Sequence, residues 1–143
     1  MRHINDLTIG PDGAAYVTGT SAEHILRLPA GGRELDVWAA DPRFEPVGGG
    51  SLDGIAFGDD GTTFVMIEGS GTLDLVTVHG DAPTIDTIQD NFVGPTGVTL
   101  VKTVACVAIG QPAYVFDPAK RGQSPRLPFV LSAEPLRRLL PRP

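Results

Sequence analysis

The sequence predicts an all-β fold, a partial β-propeller of about three four-stranded blades. Three observations carry that prediction. Gly (18) and Pro (13) supply more than a fifth of the 143 residues, against about 12% in an average soluble chain. At the same time 41% of residues are hydrophobic, too many for a disordered chain. Many short strands joined by tight turns satisfy both facts. Second, Ile9-Gly10-Pro11-Asp12-Gly13-Ala14-Ala15-Tyr16-Val17 aligns without a gap on Phe57-Gly58-Asp59-Asp60-Gly61-Thr62-Thr63-Phe64-Val65, at a spacing of 48. Third, each unit continues as a meander, and units recur every 43 to 48 residues, the period of a propeller blade. A single β-sandwich would explain the number of strands but not a repeat at matching phase.

The first unit covers about residues 4–50. Asp12-Gly13 is a strong hairpin turn, read as a primed turn because Gly tolerates positive φ. Tyr16-Val17 then lies on the second strand, 24–28 is the third, Pro29-Ala30-Gly31-Gly32 a turn, and 34–38 the fourth. The second unit, about 51–93, repeats the scheme. Asp60-Gly61 turns the chain, Phe64-Val65 lies on the second strand, 73–78 is the third, His79-Gly80-Asp81 a turn, and 84–88 the fourth. Tyr16-Val17 and Phe64-Val65 are expected to pack between blades. The third unit, about 94–136, is a decayed copy. Gly97-Val98-Thr99-Leu100 aligns with Gly54-Ile55-Ala56-Phe57 at a spacing of 43. Its turn falls near Lys102-Thr103, and Cys106-Val107 takes the second strand. Residues 113–116 read as a strand, 117–123 as a polar loop and 129–132 as the last strand. Residues 133–140 can make one or two helical turns, and 137–143 form a tail.

Composition removes several classes of function. A net charge of −6 and a pI near 4.8 argue against a phosphate-backbone binder, so no nucleic-acid partner is expected. The single cysteine, Cys106, excludes an intrachain disulfide and a multi-cysteine zinc site; within an apolar strand it reads as a small buried hydrophobe. No apolar run approaches the roughly 18 residues of a membrane helix, and no membrane partner is expected. Residues 1–30 lack a signal-peptide pattern, so the default expectation is the cytoplasm. His3, His24 and His79 show no ligand spacing. Ser21, Ser51, Ser70, Ser124 and Ser132 lack the Gly-x-Ser-x-Gly setting of a nucleophile elbow. Val47-Gly48-Gly49-Gly50 has no following Lys-Ser/Thr and is not a phosphate loop.

The segment Ile4-Asn5-Asp6-Leu7-Thr8-Ile9-Gly10-Pro11-Asp12-Gly13-Ala14-Ala15-Tyr16-Val17 resembles the ND…PDG…Y-V/F-T segment of the senescence marker protein/gluconolactonase (regucalcin-like) family. Those proteins are six-bladed propellers, many of them metal-dependent lactone hydrolases. Leu52-Asp53-Gly54-Ile55-Ala56-Phe57 looks like the family's recurrent (N/D)-G-(I/L)-A blade start, and Gly94-Pro95-Thr96-Gly97-Val98 looks like another with its acid replaced. Residues 111–136 are similar to the last blade of bacterial members. The resemblance spans about residues 4–136. Propellers of the NHL type share the Asp-Gly hairpin, so Asn5-Asp6 is the more specific element. The resemblance implies the C-terminal half of a six-bladed ring. Its open faces imply either a homodimer that completes the ring or a missing N-terminal half.

In that family a metal sits on the central axis, held by oxygens from successive blade starts, and polarises a lactone carbonyl. Carried over residue by residue, the resemblance implies Asn5 and Asp53 as ligands of a divalent cation, Ca²⁺ or Zn²⁺, with Asp53 also the catalytic general base. Thr96 stands where the third blade start would carry an acid, and the family's first-blade Glu has no counterpart. The implied function is hydrolysis of a small-molecule sugar lactone, or a truncated remnant of that activity. The alternative is a non-catalytic, NHL-like propeller module for binding or scaffolding. Asn5 and Asp53 also suit turn or capping roles at strand starts. Asp6 could orient Asn5 or be a surface carboxylate, Glu68 could face the axis, and Asp12, Asp59 and Asp60 read as turn residues. Arg137, Arg138 and Arg142 read as a frayed terminus.

Overall fold

The computed structural model describes residues 3–19, 23–45, 51–58, 60–61, 63–68, 71–79 and 82–136. They form three antiparallel sheets. The first has the order β1-β2-β3-β4 (Ile4–Ile9, Ala15–Gly19, His24–Leu28, Asp36–Ala40). The second has the order β5-β6-β7-β8 (Leu52–Phe57, Thr63–Glu68, Thr72–His79, Ala82–Gln89). The third contains β9, β10 and β11 (Pro95–Val101, Val104–Ile109, Val130–Pro135). Leading strands β1, β5 and β9 pack in series, each against the next. The result is three blades of a propeller-like array that does not close on itself. Val, Ile, Thr and aromatic residues dominate these strands, because branched and flat side chains fit a pleated, half-buried surface.

The hairpin glycines act as the repeat implies, through a different turn. Gly13 N–H donates to Gly10 O at 2.9 Å, and Gly13 has φ +74°. The other three turn residues keep negative φ, so this is a type I turn followed by a left-handed glycine, not a two-residue primed turn. Pro11 suits position i+1 of that turn, since its ring locks φ near −65°. Gly61 repeats both features, donating to Gly58 O at 3.0 Å with φ +71°. The strand register does not follow the gapless alignment: Ile9 pairs with Ala15, but Phe57 pairs with Phe64, one residue further on.

Two apolar layers join the sheets. Tyr16, Ile25 and Phe44 meet Leu52, Ile55, Val76 and Ile85 between the first and second sheets. The Tyr16 ring stands edge-on to both Phe57 and Trp38, with centroids 4.9 Å apart in each case. Leu73 and Leu75 meet Ala105, Val107 and Leu136 between the second and third sheets. Arg43 ties the first connection down, donating from Nη1 to Ile85 O at 2.6 Å, and Ser51 Oγ donates to Phe44 O. The closest approach is at Gly54, where a Cβ would lie 2.6 Å from Val98 N and 2.7 Å from Gly97 Cα. No residue with a side chain fits there without separating β5 from β9.

The third unit departs from expectation. Residues 113–116 form a short helix, α1 (Ala113–Phe116), rather than a strand. Pro112 opens that turn with φ −63° and ψ −19°, a conformation its ring already prefers. The edge of β10 is taken instead by β11, paired from Val104↔Pro135 to Ile109↔Val130. The third sheet therefore has three strands, and residues 133–135 are strand rather than helix. The fourth strand of the first unit is Asp36–Ala40, two residues later than expected. Residues 47–50, 59, 80–81 and 137–143, on which several expectations fall, lie outside the described residues.

Candidate functional site

Asn5 and Asp53 occupy matching positions of the repeat, and the packing of β1 against β5 brings them together. Asn5 Nδ2 donates to Asp53 Oδ1 at 2.6 Å. Asn5 is exposed and Asp53 half-buried. Burial pushes the Asp53 carboxyl up to about 6 from an ordinary 3.8; the Asn5 amide opposes that shift and the nearby Asp6 charge adds to it.

Asp6 is fully used by the fold. Its Oδ1 accepts Leu7 N–H at 2.8 Å, and its Oδ2 accepts Ile55 N–H from the next blade at 3.2 Å. Asp6 matches Gly54 and Gly97 in the repeat. Where the third blade lets Val98 N approach a bare glycine, the first blade satisfies the equivalent Ile55 N–H with a carboxylate. Beneath both acids lies Thr18, only 1% exposed. Its hydroxyl donates to Asp53 O at 2.5 Å and lies 3.4 Å from Asp6 O. Sequence reasoning passed over Thr18; the terminal Thr of the Y-V/F-T pattern was the available signal.

Thr96 does not join this cluster. Its side chain packs over Gly110, where a Cβ would lie 2.9 Å from Thr96 Cγ2. No described hydrogen bond links it to Asn5 or Asp53. Two protein oxygens, Asn5 Oδ1 and Asp53 Oδ2, lie outside the Asn5–Asp53 bond, whereas a hard divalent cation takes about six to eight. Among the described residues no group of three or more His, Cys, Asp and Glu side chains is arranged to hold a metal.

The remaining candidates divide between turns and strands. Asp12 is a turn residue: Oδ1 accepts Ala14 N–H at 3.1 Å, while Oδ2 meets Arg27 at 2.5 Å and the Tyr16 hydroxyl at 3.1 Å. The Arg27 bond is the main reason the Asp12 carboxyl sits below its ordinary value. Cys106 is half-buried on β10 rather than fully buried. Its side is the one opposite Ala105 and Val107, facing away from the second sheet. Asp74, which the sequence did not single out, is 1% exposed. Thr72 donates to its Oδ2 at 3.3 Å, and its Oδ1 has no partner among the described residues.

No protein-family model matches the chain, and no curated protein matches it. A solved structure described as "Crystal structure of Nidogen/Laminin Complex" superimposes with a TM-score of 0.60 at 20% identity. The match covers 73% of this chain and 39% of that one. It supports the β-propeller architecture and goes no further than the fold.

Proposed function

We propose that the chain is a non-catalytic β-propeller module whose role is binding or scaffolding. The observation that carries this reading is the use of the blade-start polar groups. Asp6 gives both carboxylate oxygens to backbone N–H groups, and Asp53 is clasped by Asn5. The Asp6–Ile55 and Asn5–Asp53 contacts join neighbouring blades, and the cluster leaves too few oxygens for a cation. The solved structure with this fold comes from a protein–protein complex, which agrees with a binding role.

A second reading, lactone hydrolysis with Asp53 as general base, is favoured by one observation. A half-buried carboxyl raised to about 6 is suited to proton transfer near neutral pH. The test is glucono-δ-lactone hydrolysis by the full chain with Ca²⁺ or Zn²⁺, comparing the parent with Asp53→Asn. The expected rate equals that of buffer for both proteins. A metal-dependent rate that Asp53→Asn abolishes would overturn the binding-module reading in favour of the hydrolase.

A further inference from the structure

Positions on the three leading strands divide into two sets. On the side facing the preceding blade stand large apolar residues: Leu7 and Ile9, then Ile55 and Phe57, then Val98 and Leu100. On the side facing the following blade stand small or short ones: Asp6 and Thr8, then Gly54 and Ala56, then Gly97 and Thr99. The two internal contacts use this scheme. Ile55 and Phe57 pack against the first sheet, and Val98 and Leu100 against the second. Gly54 lets the backbone of β9 come within 2.6 Å of where its Cβ would be.

Among the described residues, the outer faces of the first and third sheets carry the same two leading-strand half-interfaces without a partner. On the first sheet Leu7 and Ile9 are 58% and 59% exposed. Across the same face Leu7 pairs with Val17, Val17 with Leu26, and Leu26 with Val37; Val17 at the centre of the row is 7% exposed and Val37 at its edge 60%. On the third sheet a Cβ at Gly97 would meet only Ala108 Cβ at 3.7 Å. Gly97 and Thr99 pair with Ala108 and Cys106, which pair in turn with Leu131 and Ala133. Neither row contains a charged residue. On the leading strands one face is large and apolar and the other small, and the fold already joins β1 to β5 and β5 to β9 in this way; at the far edge of the third sheet's outer face Leu131, 76% exposed, adds a large apolar side chain.

We propose that the outer face of the third sheet is a docking surface for the outer face of the first sheet of a second copy of this chain. The contact continues the blade-to-blade interface across molecules. It is heterologous, so it closes into a ring if the rotation allows and otherwise extends. It does not depend on what the blade starts bind.

The test uses the single cysteine as a reporter. Cys106 lies on the third sheet, and Leu7 on the first. Sedimentation equilibrium of the full chain is expected to give a mass of at least twice the 15.0 kDa of one chain. Cys106 labelling by a thiol-reactive disulfide is expected to slow at least severalfold as protein concentration rises. Leu7→Asp is expected to give a folded monomer whose Cys106 labels at the fast rate at every concentration. Gly97→Val, whose Cβ would meet only Ala108 Cβ at 3.7 Å in the single chain, is expected to be monomeric as well, with an unchanged circular dichroism spectrum. A parent that stays monomeric at high micromolar concentration overturns the proposal. So does association that persists in both variants, or Cys106 protection that Leu7→Asp leaves intact.

Discussion

Replacing Gly54 by Ala tests the blade packing at its tightest point. The added Cβ would lie 2.6 Å from Val98 N, 2.7 Å from Gly97 Cα and 2.9 Å from Gly97 C. All three are backbone atoms of a paired strand, so no rotamer change can relieve the overlap. β5 and β9 must separate, loosening the layer formed by Leu73, Leu75, Ala105 and Val107. Overpacking costs about 1–3 kcal/mol, and rigid neighbours place this case near about 3 kcal/mol. At about 2–4 °C per kcal/mol for a chain near this size, the melting temperature falls by roughly 6–12 °C. Gly97→Ala is the control: it holds the matching repeat position, and its Cβ meets only Ala108 Cβ, at 3.7 Å. Its expected change is within about 0.5 kcal/mol. Both are compared by thermal melts in a Leu7→Asp background, so that association does not contribute. Equal melting temperatures for Gly54→Ala and Gly97→Ala would refute the close approach of β5 to β9.

Other outcomes follow from single groups. The Asp53 carboxyl is raised to about 6 in the folded chain from 3.8. Its protonated form is therefore favoured by folding, and that stabilisation is complete below pH 3.8 and lost as pH rises through about 6. Asp53→Asn should flatten this part of the profile in urea melts between pH 4 and 7.5, and an unchanged slope would count against the burial of Asp53. Gly13→Val places a β-branched residue at φ +74° and should cost roughly 1–3 kcal/mol, read as a lower denaturant midpoint. Asp74→Leu removes a 1%-exposed carboxylate with an unpartnered oxygen and should raise the melting temperature, since a buried polar group without a partner is costly.

Local turn chemistry and the repeat were legible in the sequence because each depends on nearby residues. The Asp-Gly pairs marked Gly13 and Gly61, and the third strand of the first unit, His24–Leu28, falls where the apolar run places it. The spacing of 48 put Asn5 and Asp53 at equivalent strand starts, and adjacent equivalent strands bring such positions side by side. What stayed hidden depends on distances between sheets. Nothing in Asp6 itself reveals that it meets Ile55 N–H, or in Thr18 that it caps Asp53 O. Ala113-Tyr114-Val115-Phe116 has strand-forming residues, yet Pro112 and the occupied edge of β10 make it helical. The register slip between Ile9↔Ala15 and Phe57↔Phe64 is likewise absent from a gapless alignment.

The central claim is that the blade-start carboxylates hold neighbouring blades together rather than a metal. A ¹³C-detected titration of the Asp53 carboxyl, with and without excess Ca²⁺, tests it most directly. The expected midpoint is about 6, unchanged by calcium, because Asn5 and Asp53 supply too few oxygens to hold the ion. A midpoint that falls by a unit or more when Ca²⁺ is added would contradict the claim and identify Asp53 as a ligand.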